Sequence, residues 1–258
     1  MHRIRGFIRA RRRQLLRRLL PGYGGSRIRR WSRGRSFPRV GAVRFGDLRR
    51  TSPISRHFGY DRGRPIDRYY IDRFLAANAH AIQGRVLEIG HDTYTRRYGS
   101  SVTHGDVLHV EAGHPRVTIV ADLTDAGHLP GDTYDAIIFT QTLHLIFDMP
   151  PVLQTLHRML RPGGVLLATF PGISNIDAGR WSDQWFWSLT AHSARRLFSE
   201  SFRGDVVVEA HGNVLAAIAF LHGLAVGDVD TDELDVRDPS YDVLITVRAT
   251  KATQATVP

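Results

Sequence analysis

Three carboxylates stand where short apolar runs, of the kind that form buried strands, come to an end. Glu88 lies in segment 86–90, Asp106 follows it by 18 residues, and Asp122 comes just after a third apolar run. In an open parallel sheet, ligands bind outside the carboxyl ends of the strands, and a carboxylate there can accept both hydroxyl groups of a ribose. Gly90 has no Cβ, so the backbone there can approach a ligand closely. The spacing therefore predicts a nucleoside-binding site.

The elements that must position these residues alternate between strands and helices. The predicted strands are the apolar segments 85–89, 102–106, 117–120, 136–140, 165–170, 206–210 and 241–248. Their β-branched and continuously apolar character is typical of strands buried on both faces. Helical periodicity is clearest in segments 149–160, 191–202 and 214–224. The alternation predicts an α/β fold in which right-handed crossovers build a doubly wound sheet.

The chain divides into three parts by composition. Residues 1–46 form an arginine-rich arm, and residues 47–84 hold a loop-rich lead-in and a first helix that begins after Pro65. Residues 85–250 form the main domain. Within it, we expect segment 175–190 to be an aromatic loop after the fifth strand. Helix 214–224 is predicted to form a lid over the site or to pack on the sheet.

The charge of the chain is concentrated in the arm. The net charge is +10, yet residues 1–46 contain 15 arginines and no acid, so the rest of the chain is mildly acidic. A nucleic-acid-binding core would carry its basic residues on a folded face, so this distribution argues against a nucleic-acid partner. The chain has no cysteine, which excludes disulfides, thiolate metal sites and cysteine nucleophiles, and we predict no metal.

The arm has an amphipathic pattern between Ile4 and Leu20, which Pro21 ends. A basic amphipathic helix can bind an anionic membrane surface or an acidic protein partner. The alternative is a solvated, disordered extension. No apolar run is long enough to cross a bilayer, and no continuous apolar segment follows the first charges. We therefore expect a cytoplasmic protein, with peripheral binding at the inner face of the membrane as one use of the arm.

In its ordered motifs the chain resembles the class I S-adenosylmethionine-dependent methyltransferases, in particular the bacterial group with a generic methyltransferase domain. The resemblance covers about residues 55–250. It rests on Val86-Leu87-Glu88-Ile89-Gly90, Asp106, Ala121-Asp122-Leu123, Tyr134-Asp135, Leu143-His144 and Arg158-Met159-Leu160-Arg161-Pro162-Gly163-Gly164. It implies a seven-stranded, mostly parallel Rossmann-like sheet with a reversed last strand, and S-adenosylmethionine as the cofactor.

The resemblance also implies roles for the residues at the strand ends. Glu88 and Gly90 are expected at the methionine end of the cofactor, and Asp106 at the ribose. Asp122 and Leu123 are expected at the adenine, and Thr140 and Gln141 at the pocket floor. The turn residues His91 and Asp92, and Val107 directly after Asp106, are expected beside them. The family usually has further glycines after Gly90, whereas this chain has Asp92 and Tyr94; aspartate tolerates left-handed backbone, so the turn can persist at Asp92. In the structural alternative, Glu88 caps a helix. We interpret Asp135 as structural.

The acceptor side is predicted from histidines and aromatic residues. A hydroxyl acceptor can need a base, for which His144 is the first candidate, followed by His192 and His211. In the alternative, His144 caps the following turn. Segment 175–190 carries the expected acceptor residues Asp177, Trp181, Trp185 and Trp187, since indole faces suit sugar or aromatic rings. These aromatic residues could instead form a second small core.

Three hypotheses for the function follow. The first is methyl transfer to a small-molecule acceptor, at an oxygen of a glycan, lipid or secondary-metabolite precursor. The second is a non-catalytic module of the same fold that the arm tethers to a partner or a membrane. The third is a nucleic-acid methyltransferase, which only the arm supports.

Overall fold

The structure, a computed structural model, describes residues 38–179 and 181–253. Residues 38–49 belong to one compact unit and residues 50–253 to another. The first contains a single short helical turn among its described residues, Gly46–Leu48. The amphipathic pattern predicted between Ile4 and Leu20 lies outside the described residues.

A seven-stranded sheet forms the centre of the second unit, in the order β3-β2-β1-β4-β5-β7-β6. The strands are β1 (Gln83–Ile89), β2 (Ser101–His109), β3 (Ile119–Val120), β4 (Tyr134–Thr140), β5 (Leu160–Pro171), β6 (Val206–His211) and β7 (Leu244–Thr250). The first five strands pair in parallel, whereas β7 is antiparallel to both β5 and β6. The predicted fold class and its reversed last strand are confirmed.

The helices begin and end at residues suited to those positions. They are α1 (Ile66–Ala77), α2 (Thr93–Tyr98), α3 (Met149–Met159), α4 (Ala191–Ser201), α5 (Val214–Leu221) and α6 (Thr231–Leu234). Pro65 immediately precedes α1 and Asn213 caps α5 through the N–H of Ala216. At α4, Thr190 and Ser193 form a reciprocal capping box. No helix in the part of the chain that the structure describes is long and apolar enough to span a membrane.

Helices cover the sheet on both faces. On one face, α3 and α4 bury residues such as Leu153 and Phe198 against β4, β5 and β7. On the other face, α1 and α5 bury Ile71 and Phe220 against the same strands. The helix predicted over 214–224 therefore packs on the sheet, which is the second of the two alternatives stated for it.

Two strand boundaries differ from the prediction, and one of the differences affects the site. We predicted that the second strand ends at Asp106, and this is wrong: β2 continues to His109. The predicted start of the fifth strand at residue 165 is also wrong, because β5 begins at Leu160 and takes in the turn around Gly163 as an irregularity with φ +81°. The first difference moves the carboxyl end of β2 away from Asp106.

Candidate functional site at the carboxyl edge of the sheet

Gly90 forms an open position at the end of β1. Its φ is +87°, and its N–H donates to the carbonyl of Leu108 at 2.9 Å. A Cβ built on Gly90 would meet no other atom within 4 Å. The backbone of Gly90 therefore borders open space, so that a ligand could approach it closely.

Glu88 lies beside this position, but its carboxylate is already used within the fold. The side chain is buried, and its two oxygens accept the backbone N–H groups of Tyr94 at 3.0 Å and Thr95 at 2.7 Å. These N–H groups belong to the first turn of α2, so Glu88 caps that helix. Burial raises the pKa of Glu88 despite these hydrogen bonds. This arrangement is the structural alternative that the sequence left open for this residue.

Asp106 is buried inside β2, three residues before its end. Its carboxylate accepts hydrogen bonds from Arg85 at 2.9 and 3.1 Å, from Thr118 at 3.1 Å and from Tyr134 at 3.1 Å. Burial opposes ionisation, but these donors hold the pKa of Asp106 below its usual range. Since Tyr134 is the first residue of β4, the cluster points toward the amino edge of the sheet. Val107, next in the strand, is also buried.

The first carboxylate beyond the end of β2 is Glu111. It lies two residues past His109, and its backbone N–H donates to Nδ1 of His109 at 2.8 Å. Glu111 was not among the predicted site residues, because the predicted strand ended at the acid Asp106. The apolar residues Val107 and Leu108, which continue the strand, were the signal that could have found it.

The turn after Gly90 carries His91 and Asp92. The left-handed backbone considered for Asp92 is not observed, because its φ is −107° and it stands at the N-cap of α2. Its carboxylate pairs with Arg116 at 2.6 Å. The His91 ring meets the edge of His114 at 4.7 Å between centroids, and its partial burial, followed by the charges of the neighbouring histidines, lowers its pKa. Within the described ranges, no group of three or more His, Asp or Glu side chains is arranged to hold a metal ion.

Asp122 and Leu123 follow the end of β3. The exposed Asp122 accepts both the N–H and the hydroxyl of Thr124, at 2.8 and 2.7 Å, and so caps the helical turn Leu123–Asp125. Leu123 is buried in the core. Asp122 therefore lies at the predicted edge of the sheet.

At the end of β4, Thr140 is followed by Gln141 in a left-handed conformation with φ +50°. Non-glycine residues rarely adopt this conformation, and they do so mostly where the surroundings enforce it. The N–H of Gln141 donates to the carbonyl of Thr169 at 2.7 Å, and its side-chain Nε2 donates to Asp67 at 2.9 Å. The backbone and the side chain of Gln141 are thus both fixed at the carboxyl edge.

His144 is buried three residues after Gln141, in the helical turn Leu143–Leu145. Its ring lies 4.4 Å from that of Trp185, and its Nδ1 has no hydrogen-bond partner among the described residues. Burial lowers the pKa of His144 to about 4. The imidazole is therefore neutral at pH 7.

The other two candidate histidines lie elsewhere. His192 is exposed in the first turn of α4. His211 ends β6, two strands away from β5, and its Nε2 lies 3.0 Å from the hydroxyl of Thr246. The end of β4 therefore has His144 beside it, whereas His211 stands at the far edge of the sheet.

The aromatic loop is tied to His144 through its backbone. The carbonyl of His144 accepts the N–H groups of Phe186 and Trp187 at 3.1 and 3.2 Å. Asp177 shapes the loop by accepting the N–H groups of Gly179 and Trp181. The side chain of Trp187 stays partly exposed, with Nε1 donating to the carbonyl of Ile146 at 3.1 Å.

Phe58 joins this aromatic group from the lead-in loop. Its ring is parallel to that of Trp185 within 6°, at 6.2 Å between centroids, and it also contacts Phe220. Its φ of +54° is unusual for a bulky residue. Phe58 was not predicted to belong to the site, because only its contact with Trp185 in the fold places it there.

Comparison with known proteins agrees with this geometry. Residues 84–168 match the family model described as a methyltransferase domain. This part of the chain is thus similar to a methyltransferase domain, in line with its resemblance to the class I S-adenosylmethionine-dependent methyltransferases. The matched segment contains β1, β2, β3 and β4 and most of β5, and with them the strand ends described above.

Individual relatives of this methyltransferase domain cover only part of the chain. A probable S-adenosylmethionine-dependent methyltransferase of Mycolicibacterium smegmatis is 31% identical over 113 residues, which are 40% of this chain and 44% of that protein. The mitochondrial arginine-hydroxylase NDUFAF5 of Rattus norvegicus is 29% identical over 130 residues, 50% of this chain and 35% of that protein. The chain thus spans less than half the length of these relatives.

Among solved structures, an S-adenosylmethionine-dependent methyltransferase from Mesorhizobium loti aligns with a TM-score of 0.48 and 20% identity. The alignment covers 69% of this chain and 95% of that one.

S-adenosylmethionine, the cofactor of the methyltransferase domain, fits the residues at this edge. The open space at Gly90 would accommodate a ligand against bare backbone. Carboxylates follow the ends of β2 and β3 at Glu111 and Asp122, where a nucleoside needs acceptors for its hydroxyl and amino hydrogens.

Proposed function

We propose that this chain transfers the methyl group of S-adenosylmethionine to an oxygen of a small-molecule acceptor, a precursor of a glycan, a lipid or a secondary metabolite. The observation that carries this proposal is the position of His144. A buried, neutral imidazole with an unpartnered Nδ1, among the residues described, follows β4 and packs against an aromatic loop. An unprotonated imidazole in this position can take a proton from a hydroxyl group.

His144 acts as the general base in this proposal. When bound, S-adenosylmethionine supplies a methyl group on a positively charged sulfur. Nδ1 of His144 takes up the proton of the acceptor hydroxyl, which makes the acceptor oxygen a better nucleophile. Because burial lowers its pKa to about 4, the imidazole is unprotonated throughout the neutral range and its lone pair is free to accept a proton during the reaction.

Aromatic side chains position the acceptor. The ring of Trp185 lies next to His144, and the ring of Phe58 stacks on that of Trp185. Trp187 and Trp181 are partly exposed on the same loop. Flat aromatic faces suit the apolar face of a sugar or an aromatic ring, which supports an acceptor that contains a ring. Asp177 holds the loop in shape through backbone hydrogen bonds.

The cofactor lies along the strand ends. Gly90 offers it bare backbone, Asp122 and Leu123 border the adenine, and Thr140 and Gln141 form the floor, with His91 and Asp92 in the adjoining turn. For the ribose we favour Glu111 over Asp106. Glu111 lies beyond the end of β2, on the side where a ligand would bind, whereas Asp106 lies inside the strand and accepts hydrogen bonds from Arg85, Thr118 and Tyr134.

Replacement of the candidate bases tests this proposal. Methyl transfer from labelled S-adenosylmethionine into acceptors of a cell extract would be measured for the wild type and for His144→Gln, His192→Gln and His80→Gln. The His144 variant should lose about 100-fold or more of its rate, the range of general-base catalysis. The exposed His80 lies before β1 and serves as the control. Full activity of the His144 variant, or the loss appearing instead in the His192 variant, would remove His144 as the base.

A non-catalytic module is the second candidate, and the engagement of Glu88 and Asp106 favours it. Both carboxylates have donors from the protein itself, so neither needs a ligand to be satisfied. Calorimetry with S-adenosylmethionine separates the two candidates. Absence of heat at millimolar ligand would support the scaffold and exclude the enzyme.

The arm at residues 1–46 is proposed to bind an anionic membrane surface or an acidic protein, because it holds 15 arginines and, between Ile4 and Leu20, an amphipathic pattern. Flotation with vesicles containing phosphatidylglycerol should recover the full chain but not a chain lacking residues 1–46. Equal recovery of both would refute the membrane assignment. Binding of RNA that depends on the arm would instead favour nucleic acid, which the acidic body of the chain argues against.

A further inference from the structure

Asp67 places a buried carboxylate over the end of β4. It lies in the first turn of α1, outside the matched segment 84–168, and only 7% of its surface is exposed. Its Oδ2 accepts hydrogen bonds from Nε2 of Gln141 at 2.9 Å and from Nη1 of Arg68 at 2.8 Å. One oxygen of the carboxylate is thus held between two donors, which orients the other oxygen.

The other carboxylate oxygen of Asp67 and the amide oxygen of Gln141 lack hydrogen-bond donors in the described part of the chain. Oδ1 of Asp67 and Oε1 of Gln141 are both buried, and neither accepts a hydrogen bond from any residue that the structure describes. Folded proteins leave few buried polar atoms without a partner. Turning the Gln141 amide over would not help, because its oxygen would then face the Asp67 carboxylate. Both remaining atoms are acceptors, so the group that completes this site must be a donor.

The position of the pair relates it to the cofactor. Glu88 is opposite Ile138 in the parallel pairing of β1 with β4, so the same register carried two residues further places Gly90 beside Thr140. Gln141 is the next residue, and the chain turns at its left-handed backbone directly after β4. The two acceptor oxygens therefore belong to the edge at which Gly90 leaves space for a ligand.

Glu88 does not satisfy a cationic group at this edge. The resemblance assigned it to the methionine end of the cofactor, but both of its oxygens accept N–H groups of α2. The α-ammonium group of an amino acid carries three hydrogens and a positive charge, so it requires acceptors and favours a carboxylate among them. Asp67 and Gln141 provide such a set.

We propose that Asp67 and Gln141 form the site for the α-ammonium group of the amino-acid end of S-adenosylmethionine, an inference that rests on the proposed cofactor. Asp67 Oδ1 supplies the charge and one acceptor, and Gln141 Oε1 supplies a second acceptor. Arg68 positions the carboxylate by donating a hydrogen bond to Oδ2, the other oxygen of Asp67. Asp67 is thereby a binding residue that the matched methyltransferase segment does not contain.

Two nucleosides that differ only at the amino-acid end test this site by calorimetry on the full chain. S-adenosylhomocysteine has the ammonium group, whereas 5′-methylthioadenosine has the same nucleoside and thioether without it. Asp67→Asn should raise the Kd of S-adenosylhomocysteine about 10- to 100-fold, the range expected for a charge-assisted hydrogen bond. The Kd of 5′-methylthioadenosine should stay within about twofold, because nothing in it contacts the ammonium site.

Asp72→Asn is the matched control. Asp72 is a buried acid on the same helix, but its oxygens are engaged by Arg97, Tyr98 and Arg64. Its substitution should leave the ratio of the two Kd values unchanged. Gln141→Asn is a second variant. Asparagine tolerates left-handed backbone, but its shorter side chain moves the amide away from the ammonium site. This variant should also weaken binding of S-adenosylhomocysteine and not that of 5′-methylthioadenosine.

Each outcome decides something different. If Asp67→Asn weakens both nucleosides equally, or leaves S-adenosylhomocysteine unaffected, Asp67 is structural and the inference is overturned. If the wild type binds neither nucleoside, the proposed function fails and the inference fails with it. A melting temperature of ligand-free Asp67→Asn close to that of the wild type, with a smaller shift on adding S-adenosylhomocysteine, would support the ammonium site and exclude misfolding as the cause.

Discussion

Arg85 of β1 donates two hydrogen bonds to a single oxygen of Asp106 in β2, from Nη2 at 2.9 Å and from Nε at 3.1 Å. Tyr134 of β4 donates to the same oxygen, so three neighbouring strands share one carboxylate. The guanidinium of Arg85 also lies over the Tyr134 ring at 5.4 Å. Asp106 therefore links strands, and its contribution to ligand binding can be separated from its contribution to stability.

The first prediction compares Asp106→Asn with Glu111→Gln. Asp106→Asn should lower the free energy of unfolding by about 1–3 kcal/mol, since it weakens a buried hydrogen-bonded ion pair whose arginine is partly exposed. Glu111→Gln should cost less stability than Asp106→Asn, because Glu111 is exposed, and it should raise the Kd of S-adenosylmethionine about 10-fold. Urea denaturation and calorimetry measure the two quantities. The reverse pattern, in which only the Asp106 variant loses affinity, would restore Asp106 as the ribose ligand.

The second prediction concerns Gly90→Ala. A residue with a Cβ at φ +87° is strained, so the variant should lose about 1–2 kcal/mol of stability. The new methyl group would stand in the space assigned to the cofactor, so the Kd of S-adenosylmethionine should also rise at least 10-fold.

Gly163→Ala is the control for Gly90→Ala. Gly163 has a similar φ of +81°, and its added Cβ would make only an ordinary contact with Thr253 at 3.4 Å. It lies near the beginning of β5, at the opposite edge of the sheet from the site. The control should lose similar stability and keep its affinity. Equal affinity in both variants would mean that no ligand approaches Gly90.

The third prediction concerns the stack between Phe58 and Trp185. If the two rings stabilise each other, a double-mutant cycle with Phe58→Leu and Trp185→Leu should give a coupling energy of about 0.5–1.5 kcal/mol. The pair Phe58→Leu and Phe202→Leu should be additive, because Phe202 packs on the other face of the sheet. Coupling near zero in the first cycle would show that the lead-in loop and the aromatic loop act independently.

The sequence was informative where one strand end carried the signal by itself. Segment 86–90 combines an apolar run, a buried acid and a glycine, and the structure has the strand end and the open glycine there. Asp106 was misplaced because an acid inside an apolar run resembles the end of a strand. Its burial becomes favourable only once Arg85 and Tyr134 surround it, and a linear pattern does not show that arrangement.

Other parts of the candidate site depend on contacts between distant segments. Asp67 meets Gln141, which is 74 residues later in the chain, and Phe58 of the lead-in loop meets Trp185 of the aromatic loop. In the sequence, Asp67 is one more acid in the first turn of a helix, a position that acids favour for the helix dipole alone. In the fold, Asp67 meets the end of β4 and becomes a buried carboxylate, one oxygen of which has no hydrogen-bond donor among the described residues.

The last prediction concerns the pH dependence of stability through His144. Burial lowers the pKa of its imidazole from an ordinary value of 6.5 to about 4 in the folded state. Between pH 6.5 and 4, His144 is protonated in the unfolded chain but not in the folded chain. The free energy of unfolding therefore falls as the pH drops toward 4. This loss is absent above pH 6.5, and for a shift of this size it amounts to about 3 kcal/mol when complete.

His144→Gln removes that contribution because glutamine does not titrate. Its free energy of unfolding, measured by urea denaturation from pH 7.5 to about pH 4.5, should therefore fall by roughly 2 kcal/mol less than that of the wild type. The exposed His192→Gln should follow the wild type across the same range. Parallel curves for His144→Gln and the wild type would mean that His144 can become charged in the folded protein. In that case the imidazole is hydrated, and the neutral base on which methyl transfer depends in this proposal would be absent at mildly acidic pH.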